Sequence, residues 1–105
     1  MEIRAIKTFI TVIKLGSFQK ASVLLNYSQP TVTLHIKNLE DHLGQKLIIR
    51  GKTIRLTEAG HVFYKQAVEL LNEYEKLQQT MNDLGDGATG FVRIGVSEPI
   101  ASFEF

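Results

Sequence analysis

The sequence predicts a mainly helical fold: three short helices, a β-hairpin and one long helix. Three observations lead to this prediction. Apolar residues recur at helical spacing in three closely connected segments, a β-branched stretch surrounds Gly51–Lys52, and a heptad pattern runs from residue 63 to residue 84. Together they predict a winged helix-turn-helix, with a three-helix core and a β-hairpin wing, followed by a long coiled-coil linker helix.

The first two helices each show an apolar face that needs a partner. In residues 2–15 the spacing is i, i+3, i+4, i+7, from Ile6 through Phe9 and Ile10 to Ile13, and Gly16 ends the helix. In the second helix, over about residues 18–25, we expect four residues to enter the same core: Phe18, Ala21, Leu24 and Leu25.

The segment from Ser17 to Gly44 has the signals of two helices joined by a tight turn. Ser17 and Ser28 are suited to cap the two helices, because a hydroxyl accepts a hydrogen bond from an early backbone N–H. The chain turns at Asn26–Tyr27, Pro30 falls where a missing N–H costs nothing, and Gly44 ends the helix. The third helix is therefore predicted over residues 29–43.

The third helix has two distinct faces. Its buried stripe is predicted to contain Val32, Ile36, Leu39 and Leu43. The outward face then carries Pro30, Leu34, Lys37, Asn38 and Asp41, with Thr31 and Thr33 on its flanks. An outward leucine suits thymine methyl groups, which the DNA major groove displays. We interpret this helix as one that enters a major groove.

The stretch KLIIRGKTIRLT predicts the wing. Residues 46–50 and 53–56 are rich in β-branched side chains around a Gly51–Lys52 turn. Three cations, Arg50, Lys52 and Arg55, lie within six residues, which suits contact with a phosphate backbone. An ordinary solvated turn would also be polar. The interpretation of this hairpin as a DNA-contacting wing therefore depends on its place after the third helix.

Thr57 is predicted to cap the long helix, over residues 58–84. Apolar residues at heptad spacing form a seam along this helix, and such a seam predicts a coiled coil between two copies of the chain. The predicted dimerisation residues are Phe63, Ala67, Leu70, Tyr74, Leu77, Met81 and Leu84. The alternative is a helix packed on its own domain, which is disfavoured because three helices should already cover one another.

We expect four segments along the chain. Residues 1–57 form the winged domain and residues 58–84 the linker helix. Residues 85–90, with three glycines, form a hinge. Residues 91–105 alternate like a β-strand and are expected to be the start of an effector-binding domain that is truncated here.

Charge is distributed unevenly along the chain. Nine of the 12 Lys and Arg residues lie in residues 1–56, together with only three of the 11 acids. The basic first half therefore suits a polyanion, whereas the second half is acidic. There is no cysteine and no long apolar stretch. We therefore expect a cytoplasmic protein that does not contact a membrane.

Two other functions are alternatives to DNA binding. An enzyme is disfavoured because we find no cysteine nucleophile, glycine-rich phosphate loop or clustered acid, base and nucleophile, and His35 and His42 are too far apart to share a metal. A winged helix used only for protein–protein contacts remains open, because Lys37 is offset by Glu40 and Asp41.

Together these residues resemble the N-terminal part of LysR-type transcriptional regulators, from residue 2 to about residue 100. The resemblance is carried by Phe9, Gly16-Ser17-Phe18, Ala21, Leu25, Ser28-Gln29-Pro30, Ile36, Leu39-Glu40, Leu43-Gly44, Leu47, Arg50 and Leu56-Thr57-Glu58-Ala59-Gly60. It implies a dimer through linker helices, a tetramer in the full-length protein, binding to double-stranded promoter DNA, and an indirect effect on RNA polymerase. No cofactor is implied for these residues, and a small-molecule effector is expected in the full-length protein.

The resemblance also implies which side chains contact DNA. Base and phosphate contacts are expected at the start of the third helix and along it, a phosphate contact at Lys20 and a wing contact at Arg50. With the residues predicted from the outward face and the wing, the expected DNA-binding set is Lys20, Ser28, Gln29, Pro30, Thr31, Thr33, Leu34, Lys37, Asn38, Arg50 and Lys52.

The sequence departs from the family pattern in three places. Leu34 stands where many members have arginine, His35 stands where glutamine is common, and the wing is one residue short. Because arginine reads guanine, we expect a preference for A/T-rich half-sites.

Overall fold

The computed structural model describes residues 1–86 and, for Asp86, the backbone alone. The chain forms four α-helices and a two-stranded antiparallel sheet in these residues. In chain order they are α1 (Ile3–Leu15), α2 (Phe18–Leu25), α3 (Gln29–Leu43), β1 (Ile48–Ile49), β2 (Arg55–Leu56) and α4 (Glu58–Asp86). The predicted mainly helical fold with a hairpin is confirmed.

The core lies where α1, α2 and α3 meet. From α1 it takes the predicted residues Ile6, Phe9 and Ile10, and from α3 it takes Val32, Ile36 and Leu39, all buried. Ile13 and Leu43 pack at its edge. The apolar stripes predicted for these two helices are therefore confirmed.

The prediction for α2 is wrong at Leu24, whose side chain is 67% exposed. Ala21 and Ser22 are the buried residues of this helix instead. Small side chains let α2 approach its neighbours closely, whereas Leu24 points outward beside the exposed Val23. An eight-residue helix has too few turns for spacing alone to define its buried face.

The hairpin is shorter than predicted. Its strands have two residues each, and Ile48 pairs with Leu56 while Ile49 pairs with Arg55. Hydrogen bonds from Thr57 hold the base: its backbone N–H donates to the Leu47 carbonyl at 3.0 Å and its hydroxyl donates to the Lys46 carbonyl at 2.6 Å. Residues next to the strands are thus fixed by contacts other than strand pairing.

The beginning of α4 belongs to the core, so the expectation that three helices cover one another is wrong. The Phe9 ring on α1 lies 5.3 Å from the Phe63 ring and 6.2 Å from the Tyr64 ring, measured between centroids. Ala67 is 3% exposed. Phe9 thus needs α4 as a cover, and the first compact unit is Met1–Leu71.

The second unit begins at Asn72, and its described part is helical up to Asp86. The helix therefore continues through Gly85 and Asp86, where the hinge was expected to begin. The remainder of the predicted hinge and the predicted strand lie outside the described residues. No helix within residues 1–86 is long and apolar enough to span a membrane.

Candidate nucleic-acid interface

Two serine caps and one left-handed residue set the geometry of the α2–α3 turn. The hydroxyl of Ser17 accepts from the Lys20 N–H at 3.0 Å, and that of Ser28 accepts from the Thr31 N–H at 3.2 Å. Between the helices Asn26 has φ 61°, a conformation that asparagine tolerates better than most residues. The caps predicted from sequence are confirmed, and they start α3 at a defined position.

The outward face of α3 is also where the sequence predicted it. Leu34 is 53% exposed, and Gln29, Pro30 and Asn38 are exposed with it. Thr31 and Thr33 are half-buried on the flanks. A single helix therefore presents an apolar side chain, two amides and two hydroxyls to the outside, groups that suit the edges of base pairs.

A groove between α3 and β1 joins residues that come from separate segments. It has a volume of about 300 Å³, and its lining includes Thr33 and Lys37 of α3 and Arg50, the residue that follows β1. Thr33 and Lys37 were predicted as DNA contacts from the third helix, and Arg50 was predicted from the wing. Lys20 and Lys52, also predicted, are exposed but do not line this groove.

Lys37 is paired on its own helix. Its Nζ lies 3.0 Å from Oδ2 of Asp41, one turn further along α3, and both side chains are exposed. An exposed pair of this kind is weak and is screened by salt. A phosphate that approaches Lys37 must therefore compete with a nearby carboxylate.

Glu40 has a structural role that the sequence interpretation missed. Its side chain is 12% exposed, and Oε2 accepts from the backbone N–H of Leu47 at 2.8 Å and of Ile48 at 3.3 Å. The carboxylate thereby fixes β1 to α3. Its position eight residues after Val32, beside the buried stripe, was a signal that this acid is not simply a surface charge.

His35 connects α3 to α1. Its Nδ1 lies 2.8 Å from the hydroxyl of Thr8, and its ring packs edge-on against Tyr27, with 5.1 Å between centroids. The Thr8 hydroxyl donates its one proton to the Arg4 carbonyl at 3.0 Å. It therefore accepts from His35, and this hydrogen-bond pattern assigns the ring proton to Nδ1.

Burial of the ring lowers the pKa of His35 below 6.5, and the nearby Arg4 charge lowers it further, while Glu2 opposes the shift. Because the unfolded state then binds more protons, the free energy of unfolding falls as the pH drops through 6.5 toward the pKa of His35 in the folded state.

We expect His35→Gln to reduce this loss of stability at low pH. Thermal melts on both sides of pH 6.5 measure the effect, with His42→Gln, an exposed histidine of the same helix, as the control. Identical pH profiles for wild type and His35→Gln would contradict the expectation.

Residues 3–61 match the family model described as bacterial regulatory helix-turn-helix protein, lysR family. The chain is 50% identical over its whole length to the HTH-type transcriptional regulator YtlI of Bacillus subtilis, and this match covers 34% of YtlI. CitR of the same organism is 36% identical, with 96% of this chain and 35% of CitR covered. The chain thus spans about a third of the length of these relatives.

Solved structures with a similar fold include the following two. The BenM DNA-binding domain, in a complex with catB site 1 DNA, has a TM-score of 0.78 and 33% identity, covering 85% of this chain and all of that chain. Vibrio fischeri DarR, in complex with DNA, has a TM-score of 0.77 and 32% identity, covering 81% of this chain and 30% of DarR. Both solved complexes contain DNA.

Proposed function

Because the chain belongs to the lysR family of bacterial regulatory helix-turn-helix proteins, we propose that it binds double-stranded promoter DNA sequence-specifically and regulates transcription. In this proposal the exposed face of α3 enters a major groove. The wing contacts the flanking phosphate backbone. The function is regulatory rather than enzymatic, and the protein acts in the cytoplasm.

The observation that carries the proposal is the shared groove of Thr33, Lys37 and Arg50. Its lining brings the Thr33 hydroxyl together with two predicted cations, one on α3 and one after β1, and it also includes Lys46 and Glu40. Leu34, which follows Thr33 on α3, is exposed. A phosphate backbone needs cations at its edges, whereas base pairs need small polar and apolar groups. The surface combines both kinds of group.

The proposed assembly is a dimer through the linker helices, and a tetramer in the full-length protein. Exposed apolar residues at heptad spacing support the dimer: Leu70, Tyr74, Leu77, Met81 and Leu84. A small-molecule effector in the full-length protein would change the arrangement of the paired DNA-binding domains and so affect RNA polymerase indirectly.

Ala67 does not belong to this dimer surface, because its own domain already buries it. Phe63 is half-buried against Phe9 and contributes first to the fold of its own chain. These two positions of the predicted seam are therefore reassigned to the core. The remaining five stay a prediction.

A second candidate function is a winged helix that binds another protein without reading DNA. The pairing of Lys37 with Asp41 and the exposed Val23 and Leu24 on α2 favour it. The two functions differ in their response to salt. Binding to duplex DNA through several phosphates falls steeply with salt concentration, with a slope in log K of about −0.9 for each phosphate neutralised.

We expect Lys20→Gln and Arg50→Gln each to make the salt slope shallower by about 0.9. Both side chains are exposed, so neither change should unfold the domain. Fluorescence anisotropy with a labelled duplex, over a series of salt concentrations, measures the slope. Lys65→Gln, an exposed lysine of α4, is the matched control. A wild-type slope near zero would contradict DNA binding and favour the protein-binding alternative.

Leu34 provides a test of base readout. If its side chain contacts a thymine methyl, replacing that thymine by deoxyuridine removes one buried methyl group, worth about 0.8 kcal/mol or roughly fourfold in affinity. The target is a duplex enriched from a random pool. Leu34→Ala should lose this sensitivity, and Leu34→Arg should shift the selected sequences toward guanine. Equal sensitivity to deoxyuridine in wild type and Leu34→Ala would exclude the contact.

A further inference from the structure

An aromatic ring from α2 contacts the guanidinium of Arg50. The Arg50 Cζ lies 4.2 Å from the centroid of the Phe18 ring. Phe18 is the first residue of α2 and is half-buried at the edge of the core, whereas Arg50 directly follows β1 and is exposed. A cation is attracted to the electron-rich face of an aromatic ring, so this contact ties the wing to the helix-turn-helix.

We propose that Phe18 is a positioning residue for DNA binding: its ring holds the Arg50 guanidinium ready for a phosphate. The proposal rests on the proposed function, since Arg50 has a phosphate to contact only when the chain binds DNA. Phe18 itself touches no nucleic acid in this proposal. It acts through Arg50.

The geometry leaves the hydrogen-bonding groups of Arg50 available. When the flat face of a guanidinium lies on a ring, its N–H donors point outward in the plane and stay available. Within residues 1–86 no carboxylate pairs with Arg50, in contrast to Lys37, which Asp41 holds. The Arg50 guanidinium is therefore held over the Phe18 ring, and no described carboxylate competes with an anion for its N–H donors.

Fixing Arg50 in advance also favours binding. A long side chain loses rotamer freedom when a phosphate immobilises it, and that loss opposes association. A contact already present in the free protein removes part of the loss from the binding step.

A double-mutant cycle tests the proposal, with Phe18→Leu, Arg50→Gln and the double variant. The probe is the duplex enriched from the random pool, and anisotropy at one salt concentration gives the affinities. We expect Phe18→Leu to weaken binding about two- to fivefold. In the Arg50→Gln background the same change should have less than about a twofold effect, and Phe18→Tyr, which keeps a ring, should bind like wild type.

An equal loss from Phe18→Leu in both backgrounds would overturn the proposal, because Phe18 would then act only through the core. Circular dichroism checks folding, and Phe18→Met replaces Phe18→Leu in the cycle if the latter does not fold.

NMR tests the contact in the free protein. The ring current of Phe18 should shift the resonances of the Arg50 side-chain protons, and Phe18→Leu should abolish this shift. Absence of that shift in the wild type would also contradict the contact. Failure of the wild type to bind duplex DNA would instead contradict the proposed function.

Discussion

Gly60→Ala is expected to destabilise the domain by about 2–3 kcal/mol, the upper part of the range of about 1–3 kcal/mol for an overpacked core. Gly60 lies in the first turn of α4, against the chain that leads into β1. A Cβ at this position would overlap the Leu47 carbonyl oxygen and come within 3.0 Å of its carbonyl carbon. Both are backbone atoms, so no side-chain rotation relieves the contact.

The surrounding hydrogen bonds restrict how far β1 can move to make room. The Leu47 carbonyl accepts from Thr57 at 3.0 Å, and the Leu47 N–H donates to Glu40 at 2.8 Å. A shift of Leu47 would therefore lengthen bonds to both α3 and the start of α4. This network is why we expect a large effect from one added methyl group.

Urea unfolding followed by circular dichroism measures the loss of stability. Gly85→Ala is the matched control, because Gly85 lies in the same helix and an added Cβ there would have no neighbour within 4 Å. Alanine favours a helix by about 1 kcal/mol over glycine, so the control should be neutral or slightly stabilising. A Gly60→Ala variant with the wild-type unfolding midpoint would show that Leu47 and α4 are not in close contact.

Local signals predicted the helices well. Ser28 and Gly44 correctly predicted where α3 begins and ends. Helix caps can be predicted in this way because they depend on residues within one turn of the helix end. The spacing of Val32, Ile36 and Leu39 likewise gave the buried face. These features depend on the sequence of a single helix.

Contacts between distant segments could not be predicted in the same way. The carboxylate of Glu40 binds β1, Phe9 packs against Phe63, and Gly60 touches Leu47, all across elements joined by loops. Helical spacing says which side of a helix is apolar but not which element covers it. For this reason Ala67 satisfied the heptad pattern of a dimer seam and yet lies in the core of its own chain.

Leu77→Asp is expected to convert the proposed dimer to a monomer. Leu77 is 59% exposed within its own unit, so the substitution leaves the fold of the protomer intact. In the dimer the aspartate would be buried among apolar side chains without a partner, which costs several kcal/mol. Sedimentation velocity at matched concentrations measures the change, and an unchanged sedimentation coefficient would show that the seam is wrong.

Asn72→Asp is the matched control for this substitution. It adds the same charge to the same helix. On a helical wheel at about 100° per residue, position 72 is offset by 200° from Leu70 and by 140° from Leu77, so it lies away from the seam.

Dimerisation also affects DNA binding, because tethering two DNA-binding domains makes the second binding event intramolecular. Leu77→Asp should therefore weaken binding to paired half-sites by about a hundredfold or more and leave binding to a single half-site unchanged, whereas Asn72→Asp should alter neither. Equal losses on single and paired half-sites would place the effect of Leu77→Asp in the DNA-binding domain rather than in dimerisation.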